Sequence, residues 1–358
     1  MSGRHIPTLD GLRAVSVLLV LFSHLGLSEA IPGGFGVTVF FFLSGFLITT
    51  LMRREYAAAG SVSLRNFWLR RALRILPPFY LVLFVTTAAS LLFDPPGTLK
   101  FGGVAAQVFH YTNYWIVWNG YAGQAPGTSV YWSLAVEEHF YLLFPWLFIA
   151  LCNRKLSGRN QALVQWGICA AVLVWRLVLI GVFHAPEVRT YLATDTRVDA
   201  ILFGCALAVW HNPVVDVALY RERRWKYGLV PGALVVLLGC VVYRDPFFRE
   251  TFRYTLQGVA LTFIFIAAIR FPTWLPFRIL NLRPVAFIGA LSYSLYLVHY
   301  PLIFAVQRLF PDWPVPAQAC LVVALAFAAS WAIYVLIERP CARLRKTLSA
   351  PRPAHCAY

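Results

Sequence analysis

Leu12-Arg13-Ala14-Val15-Ser16-Val17-Leu18-Leu19-Val20-Leu21-Phe22-Ser23-His24-Leu25-Gly26-Leu27 is an apolar run carrying one guanidinium and one imidazole. A run of this length and composition reads as a membrane-crossing helix. Burying an ionisable side chain in hydrocarbon costs about 2.5–3.5 kcal/mol on insertion scales, so Arg13 and His24 are functional suspects. Eleven residues separate them. At 100° per residue that is about 1,100°, roughly 20° from three full turns, so an ideal helix carries both on one face, about 16 Å apart along the axis.

The rest of the chain has the same character. Of 358 residues, 59% are hydrophobic and 13% charged, and the mean hydropathy is +0.66. Ten apolar stretches read as spans: 12–29, 36–52, 76–93, 131–152, 163–183, 196–211, 228–243, 253–269, 287–306 and 316–337. The fold expected is an all-α polytopic integral membrane protein with about ten transmembrane helices. An eleventh apolar stretch, 101–118, is broken by His110 and Asn113; its Tyr and Trp content suits an interfacial or re-entrant segment.

Charge sets the expected orientation. The linkers at 53–75, 153–162, 212–227 and 270–286, with the tail from 338, hold 21 Lys and Arg, against six on the opposite side. Positively charged loops stay inside, so both termini are expected in the cytoplasm. The net charge of +16 is thereby accounted for, and no nucleic-acid partner is inferred from it. Ser28-Glu29-Ala30 has the look of a peptidase site, but the ionisable residues of the preceding run argue against cleavage. Residues 1–340 read as one membrane domain and 341–358 as a short basic cytoplasmic tail, with no appended soluble domain expected. Seven scattered cysteines without a C-x-x-C pair suggest neither a disulfide framework nor a metal site.

Several polar groups stand out within this apolar background. Arg71 and Arg74, three apart on one helix face, precede Pro77-Pro78. As a fixed pair of guanidinium forks they suit a multiply phosphorylated ligand; as part of the basic linker they are also a topology anchor. Both readings stay open. Trp132-Ser133-Leu134-Ala135-Val136-Glu137-Glu138 opens the fourth span, and Glu137 falls in the same depth band as His24. A carboxylate that orients an imidazole is a general-base arrangement. Asp195, Arg197 and Asp199, at the start of the sixth span, either pair among themselves or meet a substrate. Gly33-Gly34, Gly36 and Ser44-Gly45 suit close helix approach. Ser292, Tyr296 and His299 share a face of the ninth span, and Glu338 ends the tenth where it is able to neutralise inner arginines.

In their order and spacing these segments resemble the membrane-bound acyltransferase 3 family, which includes bacterial O-antigen and other polysaccharide O-acetyltransferases. Arg13 and His24 match its Arg-x10-His signature; Phe41 to Ile48 match F-x-x-S-G-F-L-I; Arg71 and Arg74 with Ile75, Pro77 and Tyr80 match R-x-x-R-I-x-P-x-Y. Trp132-Ser133-Leu134 with Glu137-Glu138, and Ser292-Tyr293 with Tyr296-Leu297-Val298-His299, also fit. The chain departs from the pattern at Thr38, where many relatives carry an acidic or amide residue, and the soluble esterase-like domain of some relatives is not expected in it.

The resemblance implies transfer of an acyl group, usually acetyl, from cytoplasmic acyl-CoA to a hydroxyl of an extracytoplasmic carbohydrate or glycolipid, in a bacterial inner membrane. No metal is implied. Carried over by position, Arg13 and His24 are expected to be the essential catalytic pair, and the depth of Glu137 adds it to them as a catalytic residue. Arg71, Arg74, Arg13 and Tyr80 are expected on the coenzyme, and Trp132, Ser133, Glu138, Asp195, Asp199 and His299 on the acceptor. In this expectation Glu137 orients His24 as general base; a transient acyl-His24 is the variant. A proton-coupled transporter or flippase is the alternative, with Arg13, His24, Glu137 and Asp199 as an ion path, though no paired interrupted half-helices support it. The acceptor, the acyl length and the oligomeric state are not readable from the residues.

Overall fold

A computed structural model describes residues 6–216 and 220–348. The described chain is helical throughout its main elements: α1 Pro7–Leu27, α2 Gly33–Ala59, α3 Leu64–Phe93, α4 Phe101–Val108, α5 Thr112–Asn119, α6 Ser129–Asn153, α7 Gly158–Gly181, α8 Glu187–Leu192, α9 Thr194–Val209, α10 Glu222–Val242, α11 Pro246–Glu250, α12 Phe252–Arg270, α13 Leu275–Leu280, α14 Arg283–Leu309 and α15 Val315–Arg345. Nine of them are long and apolar enough to cross a membrane. The protein is an all-α polytopic membrane protein.

Three sequence expectations are refined. The sixth span is a helix of only 16 residues, α9, or about 24 Å at 1.5 Å per residue. It lies against α2, α7 and α12 and is buried along nearly its whole length, so protein replaces lipid around it. The 101–118 stretch forms two eight-residue helices, α4 and α5, each about 12 Å long and far short of a crossing. His110 breaks the segment with a positive φ of 56°. The last helix continues to Leu348; residues 349–358 of the expected tail lie outside the described residues.

Helix ends follow local chemistry. Ser63 caps α3 by accepting from the Asn66 amide, Ser157 does the same for α7 with Asn160, and Gly60 closes α2 at φ 70°. The last turn of α1, Ser23–Leu27, is π-type, with Gly26 at φ 94°. Such widened turns recur at functional sites, and this one carries His24.

The centre is the α2–α9 crossing. A Cβ on Gly45 would fall 2.0 Å from the Ile201 carbonyl, and one on Gly204 2.0 Å from that of Phe42. Only glycine on both helices permits this approach. It brings Ser44, on α2, and the α9 arginine into one interior.

Candidate active site

Two cavities share walls along the bundle. The first, a narrow space of about 100 Å³, is lined by Arg13, Arg71, Arg74, Ser44, Glu137, Tyr141 and the α14 side chains Ser292, Tyr293 and Tyr296, among others. The second, about 680 Å³, is lined by Ser23, His24, Gly33, Gly34, Lys100, Trp132, Tyr191, Tyr296 and Tyr300, with the loop 121–127. Val37 and Tyr296 line both, so one thin partition separates an arginine end from a histidine end.

At the arginine end, Arg13 pairs with Asp10 at 2.6 Å. No carboxylate lies within ion-pairing distance of Arg71 or Arg74 among the described residues. The Arg71 guanidinium lies 5.8 Å from the Tyr141 ring centroid, and Tyr141 shares a 2.7 Å hydroxyl–hydroxyl hydrogen bond with Ser44. Glu137 faces this same cavity. The end of α15 packs against α3 and brings Arg345 within electrostatic reach of Arg70 and Arg74, a residue that sequence reasoning did not connect to them. Guanidinium forks without a carboxylate at ion-pairing distance fit phosphate groups.

The histidine end rests on an imidazole pair. His24 Nδ1 lies 3.0 Å from His299 Nε2, and the rings stack with centroids 5.2 Å apart. His299 Nδ1 in turn approaches the carbonyls of Tyr296 at 2.8 Å and Leu295 at 3.1 Å. Carbonyls only accept, so with both rings neutral the proton of His299 sits on Nδ1 and its Nε2 accepts from His24 Nδ1–H. The network therefore assigns His24 Nε2 as an unprotonated lone pair.

This corrects the expected pairing of His24 with Glu137. The two residues line different cavities, and the orienting group for His24 is His299, expected only as an acceptor contact. His24 sits in the π-type turn and its ring partner lies 275 positions away, which spacing arithmetic does not anticipate. Arg13 lines the first cavity and His24 the second.

Other expected residues divide as follows. Trp132 lines the histidine cavity and Ser133 the arginine one. The Tyr296 hydroxyl donates to the Val130 carbonyl at 2.7 Å and pairs with Ser133 Oγ at 2.6 Å, fixing the partition. Tyr80 does not line the arginine cavity: it is exposed and donates to the Val108 carbonyl, tying α3 to α4. Glu138 lines neither cavity. Asp195 is held by Arg189 at 2.5 Å, Trp175 at 2.7 Å and Tyr114 at 3.0 Å. Asp199 is fully buried and pairs at 2.8 Å with Arg176 Nη2, which also donates to Thr255 Oγ1, while Arg176 Nε and Nη1 donate to Thr251 O and Thr196 O. Neither aspartate lines the two cavities, and neither pairs with Arg197. Arg197 donates to Thr38 Oγ1 at 3.2 Å and stacks 4.0 Å from the Tyr254 centroid; its Nε and Nη1 have no hydrogen-bond partner. Glu338 accepts from Ser294. Lys100, Tyr300 and the loop 121–127 were not expected at the site. They come from segments without motif spacing, and only the fold brings them over His24.

A bundle of apolar helices with an arginine cavity and a histidine cavity joined at one partition has the layout of a membrane-bound group-transfer protein. Residues 6–335 match the acyltransferase domain family Acyl_transf_3, and the chain belongs to it. Among its relatives, the peptidoglycan O-acetyltransferase OatA of Listeria monocytogenes is 31% identical over 353 residues, 95% of this chain and 56% of that protein. The putative peptidoglycan O-acetyltransferase YrhL of Bacillus subtilis is 34% identical over 316 residues, 84% of this chain and 49% of its own length. A putative O-acetyltransferase of Staphylococcus aureus is 30% identical over 350 residues, 94% of this chain and 57% of that protein. The chain thus spans about half the length of these relatives. No solved structure matches it.

Proposed function

We propose that the chain transfers an acetyl group from cytoplasmic acetyl-CoA to a hydroxyl of an extracytoplasmic glycan such as peptidoglycan. The observation that carries this reading is the shared partition: a cation-lined cavity and an imidazole-lined cavity meet at Val37 and Tyr296. The excess of Lys and Arg on the arginine side supports a cytoplasmic face for that cavity. The names of the O-acetyltransferase relatives support the reaction class.

In this reading Arg71 and Arg74 hold the donor's phosphates, and Arg13 steadies its chain as it enters the narrow cavity. His24 Nε2 takes the proton of the acceptor hydroxyl as its oxygen attacks the thioester carbonyl. The C–O bond forms, the C–S bond breaks, and the proton passes from His24 to the departing thiolate. General-base assistance of this kind contributes about 10²–10⁴-fold. His299 holds His24 in the tautomer the step requires, and Glu137, facing the arginines, tempers their repulsion while the cavity is empty of phosphate.

The test is reconstitution of the purified chain in vesicles with radiolabelled acetyl-CoA on the arginine side and soluble glycan on the other. Label appearing on the glycan supports the proposal. Label crossing the membrane on an unmodified carrier, without ester formation, supports the transporter instead.

A further inference from the structure

A third cavity, about 400 Å³, adjoins the histidine one and shares with it Ser23, Gly33, Gly34 and Tyr191. Ser23 immediately precedes His24, so the two spaces meet beside the imidazole. Its walls include Arg249, Arg253, Tyr243, Tyr254 and Gln257. None of these belongs to the motifs discussed above.

Two carboxylates, Glu29 and Glu187, also line it, and several of its cationic and amide groups have few partners. The Arg249 guanidinium has neither an ion-pair nor a hydrogen-bond partner among the described residues. Arg253 reaches Glu250 only at 3.6 Å and donates to the Tyr254 hydroxyl at 2.9 Å, while its Nε is buried without a partner. Gln257 is 4% exposed, faces the cavity, and its amide bonds no described protein group. The amide is open to the cavity, where a ligand's hydroxyl or carbonyl is able to meet it. Burial pushes the Tyr191 phenol up to about 12, so its hydroxyl keeps its proton and is free to donate. Beneath the floor, Arg197 stacks on Tyr254 and Tyr191 and stiffens the aromatic wall. The exposed Arg244–Glu29 pair at 2.9 Å closes one rim and adds little binding energy of its own.

Guanidinium groups beside aromatic faces and an unpaired amide suit a sugar that bears an acidic group. We propose that this cavity is an acceptor subsite for an acidic glycan unit. Arg249 and Arg253 hold its carboxylate or phosphate, Tyr243 and Tyr254 flank the ring, and Gln257 bonds a ring substituent. A neighbouring sugar then extends past Ser23 toward His24. The assignment rests on the reading of the His24 cavity as the acceptor side.

The test is calorimetric titration of the full chain in detergent, without any donor, so that binding is read apart from turnover. The probes are a peptidoglycan disaccharide with a free lactyl carboxylate, the same disaccharide with that carboxyl reduced to an alcohol, and N-acetylglucosamine 1-phosphate with its unphosphorylated parent. At least about tenfold tighter binding of an acidic probe over its neutral counterpart is expected. Arg249→Gln should erase the difference and Arg249→Lys should keep part of it, at an unchanged unfolding temperature. The carboxylate and phosphate arms say which acid is held. Equal binding of acidic and neutral probes, or a preference that survives Arg249→Gln, overturns the subsite. A preserved preference in a chain that transfers no acetyl group would instead sink the reaction and leave the subsite standing.

Discussion

The two cavities that meet at Val37 and Tyr296 carry opposite chemistry. One gathers guanidinium groups without local carboxylate partners at Arg71 and Arg74; the other presents a stacked imidazole pair. Fixed charge suits retention of a phosphate-bearing molecule, whereas proton abstraction needs a lone pair. Had the arginines stood beside His24, their charge would have weakened it as a base. In the proposed reaction the partition keeps the two tasks apart, with Val37 and Tyr296 as the walls common to both cavities.

This contrast is open to breakage, beginning at the histidine end. His24→Ala should lower acetyl transfer by about 10²–10⁴-fold while donor binding, read by calorimetry, stays near the parent value. Loss of both together would mean the ends are not separable. Asp199→Ala tests the opposite case, a buried ion pair outside both cavities. Leaving Arg176 uncompensated should cost about 3–5 kcal/mol of stability, seen as a large fall in unfolding temperature. Asp199→Asn with full stability and lost transfer would instead return Asp199 to the site.

Further down the scale, His299→Gln removes the ring that sets the tautomer of His24. A drop in kcat of roughly ten- to a hundredfold, with KM for donor unchanged, is expected by analogy with other groups that orient a ligating or catalytic imidazole. At the arginine end, Arg71→Gln or Arg74→Gln should act on the other parameter. KM for acetyl-CoA should rise about tenfold for each at low salt and by less at high salt, where screening already weakens the parent's hold, with kcat little changed. A reversal of the two patterns would contradict the division of labour.

How much of this was legible in the residues depends on the range of the interaction. The spans, and the placing of Arg13, Arg71 and Arg74 toward one end, follow from hydropathy and local helix spacing, which are short-range. The face shared by Ser292, Tyr296 and His299 was equally visible. The partner of His24 was not: its Nδ1 meets a residue 275 positions away, through a π-type turn that no spacing rule predicts. Asp199 was misread for a related reason. Arg176 looks like an isolated cation in a lipid-facing span until α7 is laid against α9. The third cavity was invisible because its arginines read as ordinary residues of an outer loop.

The smallest effect falls on the partition itself. Tyr296 lines both cavities and is anchored by its hydroxyl to Val130 O and Ser133 Oγ. Tyr296→Phe keeps the ring and removes only those bonds, at a cost of about 1 kcal/mol in stability. If the ring is the wall that keeps water from the donor's thioester until an acceptor is seated, its loosening should show as leakage. The variant should hydrolyse acetyl-CoA without glycan a few-fold faster than the parent, while transfer in the presence of glycan changes less. An unchanged ratio of hydrolysis to transfer would mean that Tyr296 merely packs α14 against α6 and that Val37 alone forms the barrier. Val37→Ala should then produce the leak that Tyr296→Phe does not.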